Sequence, residues 1–168
     1  MTVAALLLAL VTLGRLAELV LARRNTLALL AKGAAEVAPG HYPAIVALHT
    51  LWLGALWILG VGQPVDGFWL GIFLLLEVGR VWVLTTLGTR WTTRIIVLPG
   101  ERLVARGPYR YVNHPNYIVV IGEIAVLPLC LGLPWLAVVF TLLNAVVLTI
   151  RISAENASLK LARHNAAS

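Results

Sequence analysis

The sequence predicts an all-α, multi-pass membrane protein of about five transmembrane helices, the last two folded as a helical hairpin. Three observations predict it. Hydrophobic residues make up 60% of the 168 positions and charged residues only 12%, with a mean hydropathy of +0.91, far from the balance of a water-soluble domain. The apolar residues collect into long runs rather than alternating with polar ones. The basic residues, in contrast, gather between those runs. Five spans of roughly 20 residues use about 100 positions, which leaves short connections and one membrane domain. Residues 1–87 carry three N-terminal spans and residues 88–168 a polar loop, the hairpin and a C-terminal segment.

The runs lie at about Val3 to Ala22, Ala44 to Val61, Phe68 to Leu87, Tyr117 to Leu133 and Trp135 to Ile150. Met1 and Thr2 supply no basic n-region, and Arg15 and Glu18 follow the first apolar stretch, so this run is expected to be a retained span and not a cleaved signal. After Arg23 and Arg24, Leu27, Leu30, Ala31 and Ala34 recur at helical spacing. They fit either a short amphipathic helix on the membrane surface or a solvated linker. The stretch from Gly62 to Gly67 forms a turn-rich break, and Gly132, Leu133 and Pro134 a tight one.

The net charge of +6 and pI near 10.3 do not point to nucleic acid, because position explains them better. Of 13 Lys and Arg, three follow the first span (Arg23, Arg24, Lys32), five lie between the third and fourth (Arg90, Arg94, Arg102, Arg106, Arg110), and three lie near the C-terminus (Arg151, Lys160, Arg163). The other connections carry none. With five spans, all three groups fall on one side, which places the N-terminus outside and the C-terminus in the cytoplasm of a cell membrane. Trp69 and Trp135 then open the third and fifth helices at the outer interface. Cys130 is alone, so no intrachain disulfide forms.

Glu18, Glu77 and Glu123 stand inside apolar runs, where an ionised side chain costs about 2.5 to 3.5 kcal/mol on insertion scales. Arg15 precedes Glu18 and Arg80 follows Glu77 by three residues, a spacing that places each pair on one helical face. These fit internal pairs or a binding role. Glu123 has no such neighbour in sequence; it meets a partner on another helix, stays protonated or faces a polar substrate cavity. His41 and His49 flank the start of the second span, and without HExxH, a Cys pair or a ligand-spaced cluster they are expected to make structural hydrogen bonds, with ligand or substrate contact as the alternative.

The densest polar segment runs from Gly88 to Tyr117. Pro99 and Gly100, between Ile95–Leu98 and Leu103–Ala105, suggest a small hairpin. Pro115 suits the first turn of the fourth helix, with Asn113 or His114 as its cap. Asn144, Leu148, Arg151 and Glu155 share a face of the fifth helix, spaced by four, three and four. The tight break at Pro134 returns Arg151 and Glu155 to the neighbourhood of His114 and Tyr117. An interfacial loop and a surface ion pair would explain either segment alone, whereas together they suggest a polar site beside the bilayer.

Gly107-Pro-Tyr-Arg-Tyr-Val-Asn-His114-Pro-Asn-Tyr117, followed by the hairpin and then by Arg151-Ile-Ser-Ala-Glu155-Asn156, resembles the isoprenylcysteine carboxyl methyltransferase family over about Gly88 to Leu159. The resemblance implies S-adenosylmethionine in a cytoplasm-facing pocket. Gly107, Tyr109, Arg110, Tyr111, His114, Pro115, Asn116, Tyr117, Glu155 and Asn156 would contact that cofactor, with Arg151 and Glu155 catalytic and Glu123 and Asn144 in the substrate cavity. Asn113 and Asn156 stand where the family often has Arg and a second Glu, and the chain is similar to a small bacterial branch, some of whose members methylate alkylpyrone or phenolic lipids. The implied reaction is O-methylation of a lipid-linked carboxylate or a lipid hydroxyl delivered from the membrane. A phospholipid N-methyltransferase and a non-enzymatic transporter or channel subunit are the alternatives.

Overall fold

In a computed structural model the described residues are 2–101 and 104–165, with side chains described for all of these except His41 and residues 154–165. Helix α1 spans Val3–Leu30, α2 Tyr42–Gly60, α3 Gly67–Leu87, α4 Pro115–Cys130 and α5 Pro134–Asn165. Four helical segments, Val3–Leu30, Tyr42–Gly60, Gly67–Arg90 and Pro134–Ser153, are long and apolar enough to cross a membrane. The chain is thus an all-α multi-pass membrane protein, as the composition predicts. Helix α4 is shorter, at 16 residues or about 24 Å against a hydrocarbon core of about 30 Å.

Helix α4 is also the most enclosed. Tyr117, Val119, Glu123, Ile124, Val126, Leu127 and Cys130 are all buried, mostly against α3 and α5. Gly122 lets α3 approach: a Cβ there would stand 2.7 Å from Leu76 Cδ2. Small residues at such crossings substitute for the hydrophobic drive that lipid removes. The turn at Leu131–Leu133 then reverses the chain into α5. The outer surface is apolar: Ile58 is 81% exposed and Phe68 71%, an inside-out pattern that suits hydrocarbon.

Two elements differ from expectation. The first helix does not stop near Ala22 but runs on through Arg23 and Arg24 to Leu30, so no separate surface helix forms. Nothing in that stretch breaks a helix before Gly33, and Asn25 faces inward, donating to the carbonyls of Gly88 (3.1 Å) and Trp91 (2.8 Å). Of the expected hairpin around Pro99 and Gly100, the described first arm pairs elsewhere. Strand β2 (Ile96–Val97) pairs antiparallel with β1 (Ala35–Glu36) from the preceding basic loop, in the register Ala35 with Val97 and Glu36 with Ile96. Leu103, in the second arm of the expected hairpin, lies outside the described residues, while Val104 and Ala105 form no strand.

Long-range side-chain contacts explain why β2 chooses β1. Arg94 Nη1 bonds both carboxylate oxygens of Glu36 at 3.0 and 2.8 Å, and its guanidinium lies 4.5 Å from the Tyr42 ring centre. The hydrogen bond to Glu36 holds the Arg94 proton even more tightly than usual. The ribbon ties the first and third connections into one roof over the end of the bundle where α2 and α4 begin and α1 and α3 end.

Candidate functional site

Two polar layers lie beneath that roof. The inner one is an ionic group in the middle of the bundle. Arg15 on α1 donates to Glu18 (2.9 Å), to Glu77 on α3 (2.8 Å) and to Glu123 on α4 (3.2 Å). Arg80 on α3 donates to both carboxylate oxygens of Glu123 and lies 3.6 Å from Glu18. The pairing of Arg15 with Glu18 is as expected. Arg80, however, joins Glu123 and not Glu77, because Arg80 lies on the buried face of α3, only 5% exposed, while Glu77 reaches out to α1. Glu123 thereby finds its partner on another helix. Ionic groups removed from water survive only when so paired.

The outer layer surrounds Arg151. Its Nε donates to the Tyr117 hydroxyl (2.9 Å) and its Nη1 to the Thr93 carbonyl (2.8 Å). The guanidinium lies 5.6 Å from the Tyr117 ring centre. His114 occupies the cap position of α4 but makes no side-chain capping bond; its ring stacks on Tyr117 at 5.1 Å and 19°. Pro115, buried at the first position of α4, starts the helix where its missing N–H costs nothing. Tyr42 and Thr93 are joined through their hydroxyls at 3.3 Å.

Between the layers lies a cavity of about 380 Å³, walled by all five helices and by Trp91, Thr92 and Thr93. Asn116, Tyr117, Glu123, Asn144 and Arg151 line it, which brings together residues from both of the sequence-distant segments. Asn144 is 2% exposed and its Nδ2 has no hydrogen-bond partner among the described residues; the same holds for Nε1 of Trp52, 3% exposed. Such buried donors are normally satisfied, so each offers a bond to a ligand oxygen.

Other expected site residues take different places. Gly107 is structural: its φ of +56° and the 2.5 Å that would separate a Cβ from Thr86 Oγ1 exclude a side chain there. Tyr109 packs on the small cluster of Ala22, Val83 and Trp91. Arg110 and Tyr111 are exposed and do not line the cavity. The backbone of α5 carries Glu155 one turn beyond Arg151 and Asn156 after it, but their side chains lie outside the described residues.

Sequence reasoning missed most of the α2 wall, where only His49 had been weighed for substrate contact. Tyr42, Ile45, His49 and Trp52 all line the cavity, and their spacing of three, four and three was a legible signal of one helical face. His49 does make the structural bond expected of it, from Nδ1 to the Ile45 carbonyl at 2.9 Å, yet it also faces the cavity.

The sequence profile of the isoprenylcysteine carboxyl methyltransferase (ICMT) family matches residues 69–161. The chain is also 39% identical over 160 residues to the uncharacterized protein YpbQ of Bacillus subtilis (strain 168), a match that spans 92% of this chain and 95% of that one. No solved structure matches. The matched segment covers more than half of the chain and contains α4, α5 as far as Leu161 and the loop that ends at His114, and the protein belongs to the isoprenylcysteine carboxyl methyltransferase family.

Proposed function

We propose that this protein is an integral-membrane, S-adenosylmethionine-dependent O-methyltransferase whose acceptor is a lipid-linked carboxylate or a lipid hydroxyl. One observation carries the reading. Among the described side chains Arg151 is held by neutral partners, a carbonyl and a hydroxyl, which leaves its positive charge available at the mouth of a cavity shared by the membrane helices and the polar loop.

The donor set suits the cofactor. An adenosyl group wants aromatic faces and hydrogen-bonding partners, and Tyr117, Asn116 and the Thr92 and Thr93 hydroxyls provide them near the mouth, with His114 stacked on Tyr117 just outside the cavity lining. The unpartnered N–H groups of Asn144 and Trp52 fit ligand oxygens. When bound, S-adenosylmethionine supplies a methyl group on a sulfonium centre. In this proposal Glu155 holds the cofactor's amino group, Asn156 adds a contact, and Arg151 orients the acceptor oxygen, with Glu123 and Asn144 in the acceptor's part of the cavity. Gly107, Tyr109, Arg110 and Tyr111 act by shaping the loop.

Placement supplies most of the rate. Holding two reactants in line replaces about 7 to 11 kcal/mol of barrier in good cases. A carboxylate acceptor, with an ordinary pKa of about 3.3 to 3.7, arrives ionised, whereas a phenol near 10 needs a base. The acceptor's tail stays in the bilayer while the mouth opens toward the basic connections, on the cytoplasmic side if the charge asymmetry sets orientation. A cysteine at Gln63 is then labelled from outside and one at Lys32 only from inside; the reverse accessibility contradicts this orientation.

The direct test offers the detergent-purified protein S-adenosylmethionine with a prenylcysteine, an alkylpyrone, an alkylated phenol or phosphatidylethanolamine, and reads the mass of each lipid. Addition of one methyl group to an oxygen acceptor is expected. Methylation of phosphatidylethanolamine alone turns the reading to N-methylation, and turnover of none of them contradicts it.

A further inference from the structure

His49 has a defined tautomer. A carbonyl oxygen only accepts, so the 2.9 Å contact with Ile45 O requires the proton on Nδ1, and a neutral ring then carries its lone pair on Nε2. The residue lies half-buried in the first half of α2, in the wall of the cavity. The charged and titratable groups that share the cavity with it are Arg15 and Glu18 from α1, Tyr42 from α2, Arg80 from α3, Tyr117 and Glu123 from α4 and Arg151 from α5.

We propose that Nε2 of His49 is the general base that takes the proton of a lipid-borne hydroxyl acceptor. The proposal rests on the methyltransferase reading and adds a base and an acceptor class to it. In the step, the hydroxyl proton passes to Nε2 and an oxygen lone pair forms the new C–O bond to the methyl carbon. The electron pair of the broken C–S bond stays on sulfur, which leaves as a neutral thioether. One positive charge disappears from sulfur and one appears on the imidazole, so the charge of the cavity is unchanged across the step. That balance matters at membrane depth, where a net charge is expensive. A carboxylate acceptor needs no base, and an imidazole with its lone pair in the cavity would then be idle.

The test uses the full chain in detergent, with an alkylated phenol and a prenylcysteine as probe acceptors and S-adenosylhomocysteine as the binding probe. His49→Gln keeps a donor for the Ile45 carbonyl but no base. It is expected to slow phenol methylation by about 10²- to 10⁴-fold and to remove the acid limb of the pH profile of kcat/KM, while S-adenosylhomocysteine affinity is unchanged. Independently of turnover, histidine NMR of the unsubstituted protein is expected to show His49 as the Nδ1–H tautomer, with an Nε2 signal that moves when the phenol is added together with S-adenosylhomocysteine. An unaltered rate and pH profile in His49→Gln, an Nε2–H tautomer, or methylation of prenylcysteine but not of the phenol each overturns the proposal. If S-adenosylhomocysteine fails to bind the unsubstituted protein, the methyltransferase reading falls and this inference with it. If it binds and His49→Gln is silent, only the role of His49 falls.

Discussion

The inner and outer polar layers hold their arginines in opposite ways. Arg15 and Arg80 are surrounded by carboxylates, and their charge is spent within the protein. Arg151 is fixed just as firmly, but by the Tyr117 hydroxyl and the Thr93 carbonyl, neither of which neutralises it. Removing a charge-satisfied arginine should therefore damage the fold, and removing a charge-available one should damage binding or chemistry. An arginine's partners, more than its burial, separate a structural role from a functional one.

The largest expected effect is in the inner layer. Glu123→Ala leaves Arg80 buried with its main partner gone and is expected to cost about 3 to 5 kcal/mol in reversible unfolding, while the double change Glu123→Leu with Arg80→Met is close to neutral. Similar losses in the single and double variants would break the comparison. Arg151→Ala should invert the pattern, with thermal stability nearly kept and methyl transfer slowed by about 10²- to 10³-fold, as for other lost donors to reacting charge. A purely structural Arg151 would instead lower stability and leave turnover per folded molecule unchanged.

Smaller effects sharpen the picture of the roof. Asn25 is 5% exposed and joins α1 to the carbonyls of Gly88 and Trp91. Its replacement by Ala is expected to cost about 1 to 3 kcal/mol, because two buried acceptors lose their donor, and hydrogen exchange should rise first at residues 88–93. Glu36→Gln, which weakens the partly exposed pair with Arg94, should change stability by no more than about 1 kcal/mol. A larger loss would make the ribbon between β1 and β2 a main support of the bundle.

Much of this arrangement was legible in sequence because hydrophobicity and periodicity act locally. The positions of the five helices follow from the apolar runs, and the convergence of Tyr117 with Arg151 follows from the tight turn before Pro134. What was not legible depended on long-range choice. Glu77 and Arg80 have the spacing of a pair, but three positions along α3 turn Arg80 inward to Glu123 while Glu77 meets Arg15. Similarly, the Pro99 and Gly100 turn is a local signal, whereas Glu36 and Arg94 lie 58 positions apart and together select the partner of β2. The α2 wall shows a third limit, because the spacing of Tyr42, Ile45, His49 and Trp52 defines one helical face but not what that face meets, which only the packing of all five helices decides.

The most direct measurement is the thermal unfolding of the purified protein against S-adenosylhomocysteine concentration, alongside Arg151→Ala, His114→Ala and Glu155→Gln. Ligand that binds only the folded state should raise the midpoint progressively, by about 2.7 kcal/mol of added stability at a hundredfold excess over Kd. The expected result is a rise for the unsubstituted protein, abolished in Glu155→Gln and His114→Ala and retained in Arg151→Ala, which acts on the acceptor. No shift at saturating ligand, or equal shifts in all four proteins, would contradict a methyl-donor site built on the mouth of this cavity.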